Sequence, residues 1–146
     1  MIPILRTDRR RRHRRTDLSV VLGVPSFRDG DPRLLAPMAR HSDRLRLPAG
    51  RKLVRAGETA RELIAIVAGE AIMLRPDGTV ARLGAGDEIG GEEVVRNERH
   101  AATVIAASAV DVVVVNSPAV RWARHVGVAG SPEPVGRSLP ADQIAA

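Results

Sequence analysis

The chain has no cysteine and no tyrosine, and one phenylalanine and one tryptophan supply all of its aromatic rings. Without cysteine there is no disulfide framework and no thiolate zinc site. A core must therefore be assembled from Val, Ile, Leu and Ala around Phe27 and Trp122. With 44% hydrophobic residues in 146, there is enough material for one small domain. No apolar run reaches the length of a signal-peptide core or a membrane span, so a cytoplasmic location is expected.

Enzyme signatures are missing as well. There is no Gly-x-Ser-x-Gly elbow and no cysteine nucleophile, and Gly84, Gly86 and Gly90 have the wrong spacing for a dinucleotide fingerprint. His13, His41, His100 and His125 are scattered, without the close His and carboxylate spacing of a metal site. The expectation is a non-catalytic protein without a metal.

Lysine is almost absent: Lys52 stands alone among 23 basic residues, a bias that a GC-rich genome produces. The net charge of +6 is confined to the start of the chain, where residues 1–16 hold seven arginines against Asp8. The remaining residues balance at sixteen of each sign. Residues 1–16 have no hydrophobic period and are expected to form a disordered basic arm. Arg9, Arg10, Arg11, Arg12, Arg14 and Arg15 either contact a polyanion without sequence preference or form a solvated tail.

From residue 44 onward Gly- and Pro-centred turns recur every 8 to 12 residues or so, the spacing of an antiparallel sandwich or barrel. Between the turns lie Leu45–Leu47, Lys52–Val54, Leu63–Val67, Ala71–Leu74, Thr79–Leu83, Thr103–Ala107 and Val110–Val115. The last is so rich in valine that it requires burial on both faces. Asp31-Pro32 opens a helical segment reaching about Arg40, which Pro37 is placed to break in two. Ser117-Pro118 caps a closing helix to His125. Residues 127–146 are dominated by Gly, Pro, Ser and Ala and are expected to be a disordered tail. The fold class is mainly β: a jelly-roll-like antiparallel β-roll over residues 17–126, with a short N-terminal helical segment and a closing C-terminal helix.

The segment IGGEEVVRNERHAATV, from Ile89 to Val104, is where such a domain could hold an anion, because a Gly-rich turn entering a short helix presents free backbone N–H groups. It resembles the phosphate-binding cassette of the cyclic-nucleotide-binding domain family, whose pattern is Phe/Ile-Gly-Glu-Leu-Ala-Leu, a turn, then Arg-Ala-Ala-Thr/Ser-Val. Gly90 takes the family's glycine position, Asn97 a turn-glycine position, and Ala101, Ala102, Thr103 and Val104 match directly. The resemblance runs from about Val24 to Arg124 and implies a sensor β-roll of the Crp/Fnr type, with the cassette between its sixth and seventh strands. Residues after the closing helix are too few and too rich in Pro and Gly for the helix-turn-helix that bacterial transcription factors of this type append.

Two positions depart from the pattern. Gly91 stands where the resemblance places the ribose-binding Glu, and His100 where it places the phosphate-binding Arg. A neutral imidazole donates one hydrogen bond and lacks arginine's permanent two-pronged charge. The candidate ligand-binding set is Gly90, Gly91, Glu92, Glu93, Arg99, His100, Ala101 and Thr103, with Trp122 as a lid over a purine or as a cover for the core. Glu92 and Glu93 either reach a ligand or simply answer the helix dipole. Arg99 is expected to face opposite to His100 on the strand. Tight binding of cyclic AMP or cyclic GMP is not expected. Two readings follow: a regulatory module with weak or lost nucleotide binding that docks onto a larger protein, or a sensor of a cyclic nucleotide or related anion with altered specificity.

Overall fold

The computed structural model describes residues 14–15, 18–127 and 137–139. Ten strands form two five-stranded antiparallel sheets. The first, in the order β1-β2-β9-β4-β7, contains β1 (Arg14–Arg15), β2 (Ser42–Leu47), β9 (Val110–Asn116), β4 (Glu62–Ala68) and β7 (Glu88–Ile89). The second, in the order β10-β6-β5-β8-β3, contains β10 (Arg137–Leu139), β6 (Val80–Leu83), β5 (Ala71–Leu74), β8 (Thr103–Ala106) and β3 (Lys52–Val54). This is the expected β-roll, and every apolar run singled out above forms a strand, with only Thr79 and Ala107 falling outside.

Strand β9 joins the two cores. Val112 and Val114 point into the cluster between the sheets with Leu47, Ile64, Leu83 and Val104, whereas Val113 and Val115 point into a second cluster with Phe27, Leu35, Leu63 and Val94. Alternation of side chains along a strand places successive valines on opposite faces. Because both faces are covered, an unbroken valine run replaces the apolar–polar alternation of a half-exposed strand.

The second cluster is roofed by helices. α1 (Leu18–Leu22) and a 3-10 turn at Pro25–Phe27 precede α2 (Pro32–Leu35), which passes into a 3-10 helix over Ala36–His41. The change from α to 3-10 geometry falls where Pro37 lacks the amide hydrogen that would continue the helix. Asp31 caps α2 by accepting from Arg33 N at 2.9 Å. The closing helix, α4 (Ser117–His125), is capped one residue earlier than expected: the Asn116 side chain, not that of Ser117, accepts from Ala119 N at 3.0 Å. With Pro118 already inside the first turn, Asn116 is the residue in extended conformation that the cap geometry requires.

Several elements escaped the sequence reading. α1 and the turn at Pro25–Phe27 lie in a stretch with little periodicity, and β7 has only two residues. At the termini, Arg14–Arg15 pairs with Asp43–Arg44 of β2, and Arg137–Leu139 pairs with Val80–Arg82 of β6. These pieces of the arm and the tail are strands where disorder was expected. Edge strands expose rows of unpaired backbone groups that accept a partner regardless of its side-chain composition. The rest of both segments, including Arg9, Arg10, Arg11 and Arg12, lies outside the described residues. Among the described residues no helix is long and apolar enough to cross a membrane.

Candidate functional site

The cassette hangs on β4. Strand β7 pairs Ile89 with Ile64 and Glu88 with Ala65, and the chain then turns sharply at Gly90 (φ 86°, ψ −4°) into α3 (Gly91–Arg96). A Cβ on Gly90 would lie 2.6 Å from the backbone oxygen of Glu62, so glycine is required both by the left-handed conformation and by the close approach of β4. At the other end, Asn97 adopts the left-handed conformation expected of a turn glycine (φ 55°, ψ 43°). Its amide and that of Glu98 close the helix onto Val94 O and Glu93 O at 3.2 and 2.8 Å.

Beyond α3 the backbone is laced to the loop after β3. His100 N donates to Glu58 O and Gly57 N donates to His100 O, both at 2.9 Å. Arg99 and His100 face opposite ways: Arg99 is exposed and donates to Gly57 O at 2.7 Å, while His100 is 8% exposed. Thr103 Oγ1 is already engaged, accepting from Ala56 N at 3.1 Å. Ala101 is exposed.

His100 carries the chemistry of this cradle. Its Nδ1 is buried without a hydrogen-bond partner in the protein, and its Cε1 lies 3.2 Å from where a Gly90 Cβ would stand. Burial holds the imidazole below its ordinary pKa of 6.5, against a smaller upward pull from the carboxylates of Glu93 and Glu58. At neutral pH the residue in the arginine position is therefore uncharged.

Below pH 6.5 the unfolded chain takes up a proton on this imidazole more readily than the folded domain does, so the stability that the neutral side chain contributes is present above pH 6.5 and lost as pH falls through the lower folded pKa. Denaturant titrations between pH 7.5 and 5 are expected to give a steeper acid loss for the native protein than for His100→Gln. Equal slopes would show that this histidine does not titrate with unfolding.

Two of the carboxylates near the cradle, Glu92 and Glu88, are engaged by other elements. Glu92 accepts from Arg124 Nη2 at 2.6 Å and lies 3.6 Å from Arg96 Nε. Arg121 donates to Val94 O at 3.2 Å and to Asn97 Oδ1 at 3.3 Å. α4 thus grips α3 through two arginines spaced three residues apart. Glu88, 3% exposed, accepts from the backbone amide of Ser26 at 3.1 Å and from the Ser26 hydroxyl. A Cβ at Gly91 would lie 3.2 Å from Leu63 Cδ1 and 3.4 Å from Glu88 Oε1, so position 91 faces a filled interior next to a carboxylate.

Of the predicted site residues, Gly90, Gly91, Glu93 and His100 come together at the N-terminal side of α3. Glu92 is turned to α4, Arg99 and Ala101 are exposed, and Thr103 accepts a hydrogen bond from Ala56 N in the loop after β3. Trp122 is not a lid over the cassette: it lines a groove with Pro37, Met38 and His41. Arg121 and Arg124 take the cassette-facing side of α4, and Trp122 lies about 100° and 200° around the helix from them. Sequence reasoning missed Ser26, Glu88, Arg121 and Arg124. The i, i+3 spacing of the two arginines marks a common face, but nothing local names the partner across it. Among the described residues no group of three or more metal-ligating side chains is placed to hold an ion.

A family model described as the cyclic nucleotide-binding domain matches residues 44–124, more than half of the chain. The chain belongs to the cyclic-nucleotide-binding domain family. Solved structures agree on the fold. A cyclic nucleotide-binding-like protein from Brucella abortus is 24% identical with a TM-score of 0.62, over 75% of this chain and 97% of that one. The sensor domain of the transcriptional regulator DNR from Pseudomonas aeruginosa is 16% identical with a TM-score of 0.65, over 77% and 82%. A cAMP-bound triple mutant of the regulatory subunit of a cAMP-independent protein kinase A from Trypanosoma brucei is 22% identical with a TM-score of 0.63, over 76% and 42%. Of two further similar structures, a cAMP-bound PfPKA-R and a putative cyclic nucleotide binding protein from Ruegeria pomeroyi, the chain spans only 36% and 51% of the length. Among curated proteins, no sequence matches this chain. Domains of this family are generally regulatory binding modules.

Proposed function

We propose that this domain is a non-catalytic regulatory module in which cyclic-nucleotide binding is weak or lost and which acts by docking onto a larger protein. The observation that carries the reading is His100: the position that the family resemblance assigns to arginine holds a buried imidazole kept neutral at physiological pH. Gly91 adds to it, since it offers no side chain to a ribose hydroxyl. Losing a charged two-pronged contact and leaving a hydroxyl unpaired cost about 2 to 3 kcal/mol each, together about three to four decades of affinity. Calorimetry with cyclic AMP and cyclic GMP is expected to give a dissociation constant no tighter than about tens of micromolar at pH 7.5. His100→Arg is expected to tighten binding. Adding Gly91→Glu should give less than its additive share, because its Cβ would be crowded against Leu63 and the carboxylate of Glu88. Nanomolar binding by the native protein would overturn the reading.

One observation favours a second reading, a sensor for a small ligand of altered specificity. Arg121 and Arg124 tie α4 directly to the cassette helix, so any ligand that moved α3 would move the closing helix. Calorimetry against linear nucleotides at pH 6 and 8 separates the two, since only a sensor gives saturable heat.

A further inference from the structure

At the β6 side of the second sheet the strand pairing and the side-chain charges disagree. Within the β5–β6 hairpin Arg75 N donates to Thr79 O at 2.9 Å, so Thr79, Ala81 and Leu83 turn their backbone groups toward β5. By alternation, the N–H and C=O groups of Val80 and Arg82 point to the opposite edge. There they meet β10, which has three residues where an ordinary strand has about five or six. The register sets Leu139 opposite Val80, Ser138 opposite Ala81 and Arg137 opposite Arg82. Two like charges directly opposite destabilise a strand pair. The other terminal strand is partly compensated, since β1 sets Arg14 opposite Arg44 but Arg15 opposite Asp43. β10 has no acidic position to offset its arginine pair.

Arg82 is exposed and forms no ion pair among the described residues. The carboxylates that flank β6 along the chain are engaged: Asp77 accepts from Thr79 N at 2.8 Å and from Thr79 Oγ1 at 2.6 Å, and Asp87 accepts from Gly84 N at 2.8 Å. Glu70, just before β5, makes no ion pair with Arg82 either. Beside the arginine the same face is apolar. Ile72 stands opposite Arg82 on β5, and Leu74, 40% exposed, stands opposite Val80. Between those two positions Ala81 is fully buried, so its neighbour across the edge has little room.

We infer that the β6 edge is a strand-addition site for an extended segment of another protein, one that reads acidic, small, aliphatic from its N-terminal end and displaces β10. The inference rests on the docking reading above and deepens it by naming the edge and the chemistry of the partner. An incoming antiparallel strand exchanges backbone hydrogen bonds with Val80 and Arg82 one for one with those of β10, so the side chains decide which strand is held. An acidic residue opposite Arg82 replaces a repulsion by an attraction, a small residue suits the position opposite Ala81, and an aliphatic one opposite Val80 extends the apolar row that ends at Leu74. A second copy of this chain would offer the same Arg137. β10 is then a built-in competitor whose mismatch keeps it displaceable.

The test uses the full chain and two fluorescein-labelled nine-residue peptides, identical except for Glu or Arg before a shared Ala-Val. The Glu peptide is expected to saturate its anisotropy at one per chain, to bind at least about tenfold tighter than the Arg peptide and to lose that advantage with added salt. Hydrogen exchange should show the amides of Val80 and Arg82 better protected in its presence. Two changes in β10 should move the affinity in opposite directions. Arg137→Glu gives β10 an attractive partner at Arg82 and should weaken the Glu peptide at least about fivefold. Leu139→Pro removes the amide that faces Val80 O and should tighten the peptide by a similar factor. Circular dichroism checks the fold of both variants, and Arg137→Glu carries the test alone should Leu139→Pro unfold. Equal affinity for the two peptides, binding of neither, or an unchanged affinity in Arg137→Glu overturns the inference. So does a mass that doubles with protein concentration when Leu139→Pro is studied without peptide, which makes the occupant a second copy. The nucleotide titration reads the cassette separately, so a failed peptide test with no nucleotide binding removes the β6 edge and leaves the docking reading to another surface.

Discussion

Gly90→Ala is expected to cost at least about 3 kcal/mol of stability, whereas Gly86→Ala, four residues earlier, should cost only about 1 kcal/mol. Both glycines have left-handed backbones, with φ 86° and 93°, so both substitutions carry the conformational strain of an alanine there. They differ in what surrounds the new methyl group. At Gly86 nothing lies within 4 Å, while at Gly90 the Cβ would stand 2.6 Å from Glu62 O. That oxygen belongs to β4, the strand paired with both β7 and β9, so relief requires the sheet to move. Urea denaturation of the two variants is the measurement. Similar losses for both would mean that the cassette is not held against β4 as described.

The second large effect concerns Glu88, the buried carboxylate two residues before the turn at Gly90. Ser26→Ala removes its hydroxyl donor and leaves one carboxylate oxygen without that partner in a site 3% exposed. The expected loss is about 1.5 to 3 kcal/mol, the range for a hydrogen bond to a charged group. Replacing both partners, Ser26→Ala with Glu88→Leu, should lose less than the sum of the single changes, because the apolar pair no longer strands a charge. Thermal or denaturant unfolding of the four proteins gives the coupling directly. Additive losses, or a Ser26→Ala change within about 0.5 kcal/mol of the native protein, would show that the hydroxyl does not support the carboxylate. The contact also joins the N-terminal turn to the cassette strand, so the same variants report how firmly the helical roof holds the site.

The strands were legible because period and punctuation are local signals. The valine run of β9 announced two buried faces by its lack of alternation, and Pro37 announced an interruption of its helix by its missing amide, which the structure realises as a change from α to 3-10 geometry. Asn97 in a turn-glycine position announced a left-handed residue, and the backbone bears it out. The family was legible for the same reason, since its cassette is one contiguous stretch read in order. β7, at two residues, is too short to carry a period, and its pairing with β4 is made at long range. The terminal strands β1 and β10 were illegible because edge pairing depends on open backbone groups elsewhere in the chain, not on the residues that fill them.

What the sequence by itself determined is therefore the fold class, the place of the cassette and the two departures within it, Gly91 and His100. Tertiary structure alone decided what those departures mean. It buried His100 and so kept it neutral, aimed Gly91 at Leu63 and Glu88, paired Glu92 with Arg124, and turned Trp122 away from the cassette toward a groove with Pro37 and His41. The physical reason is that a residue's type and its period come from neighbours along the chain, whereas its charge state and its partner come from neighbours in space, and those can be distant in sequence, as Arg124 is from Glu92 and Pro37 from Trp122.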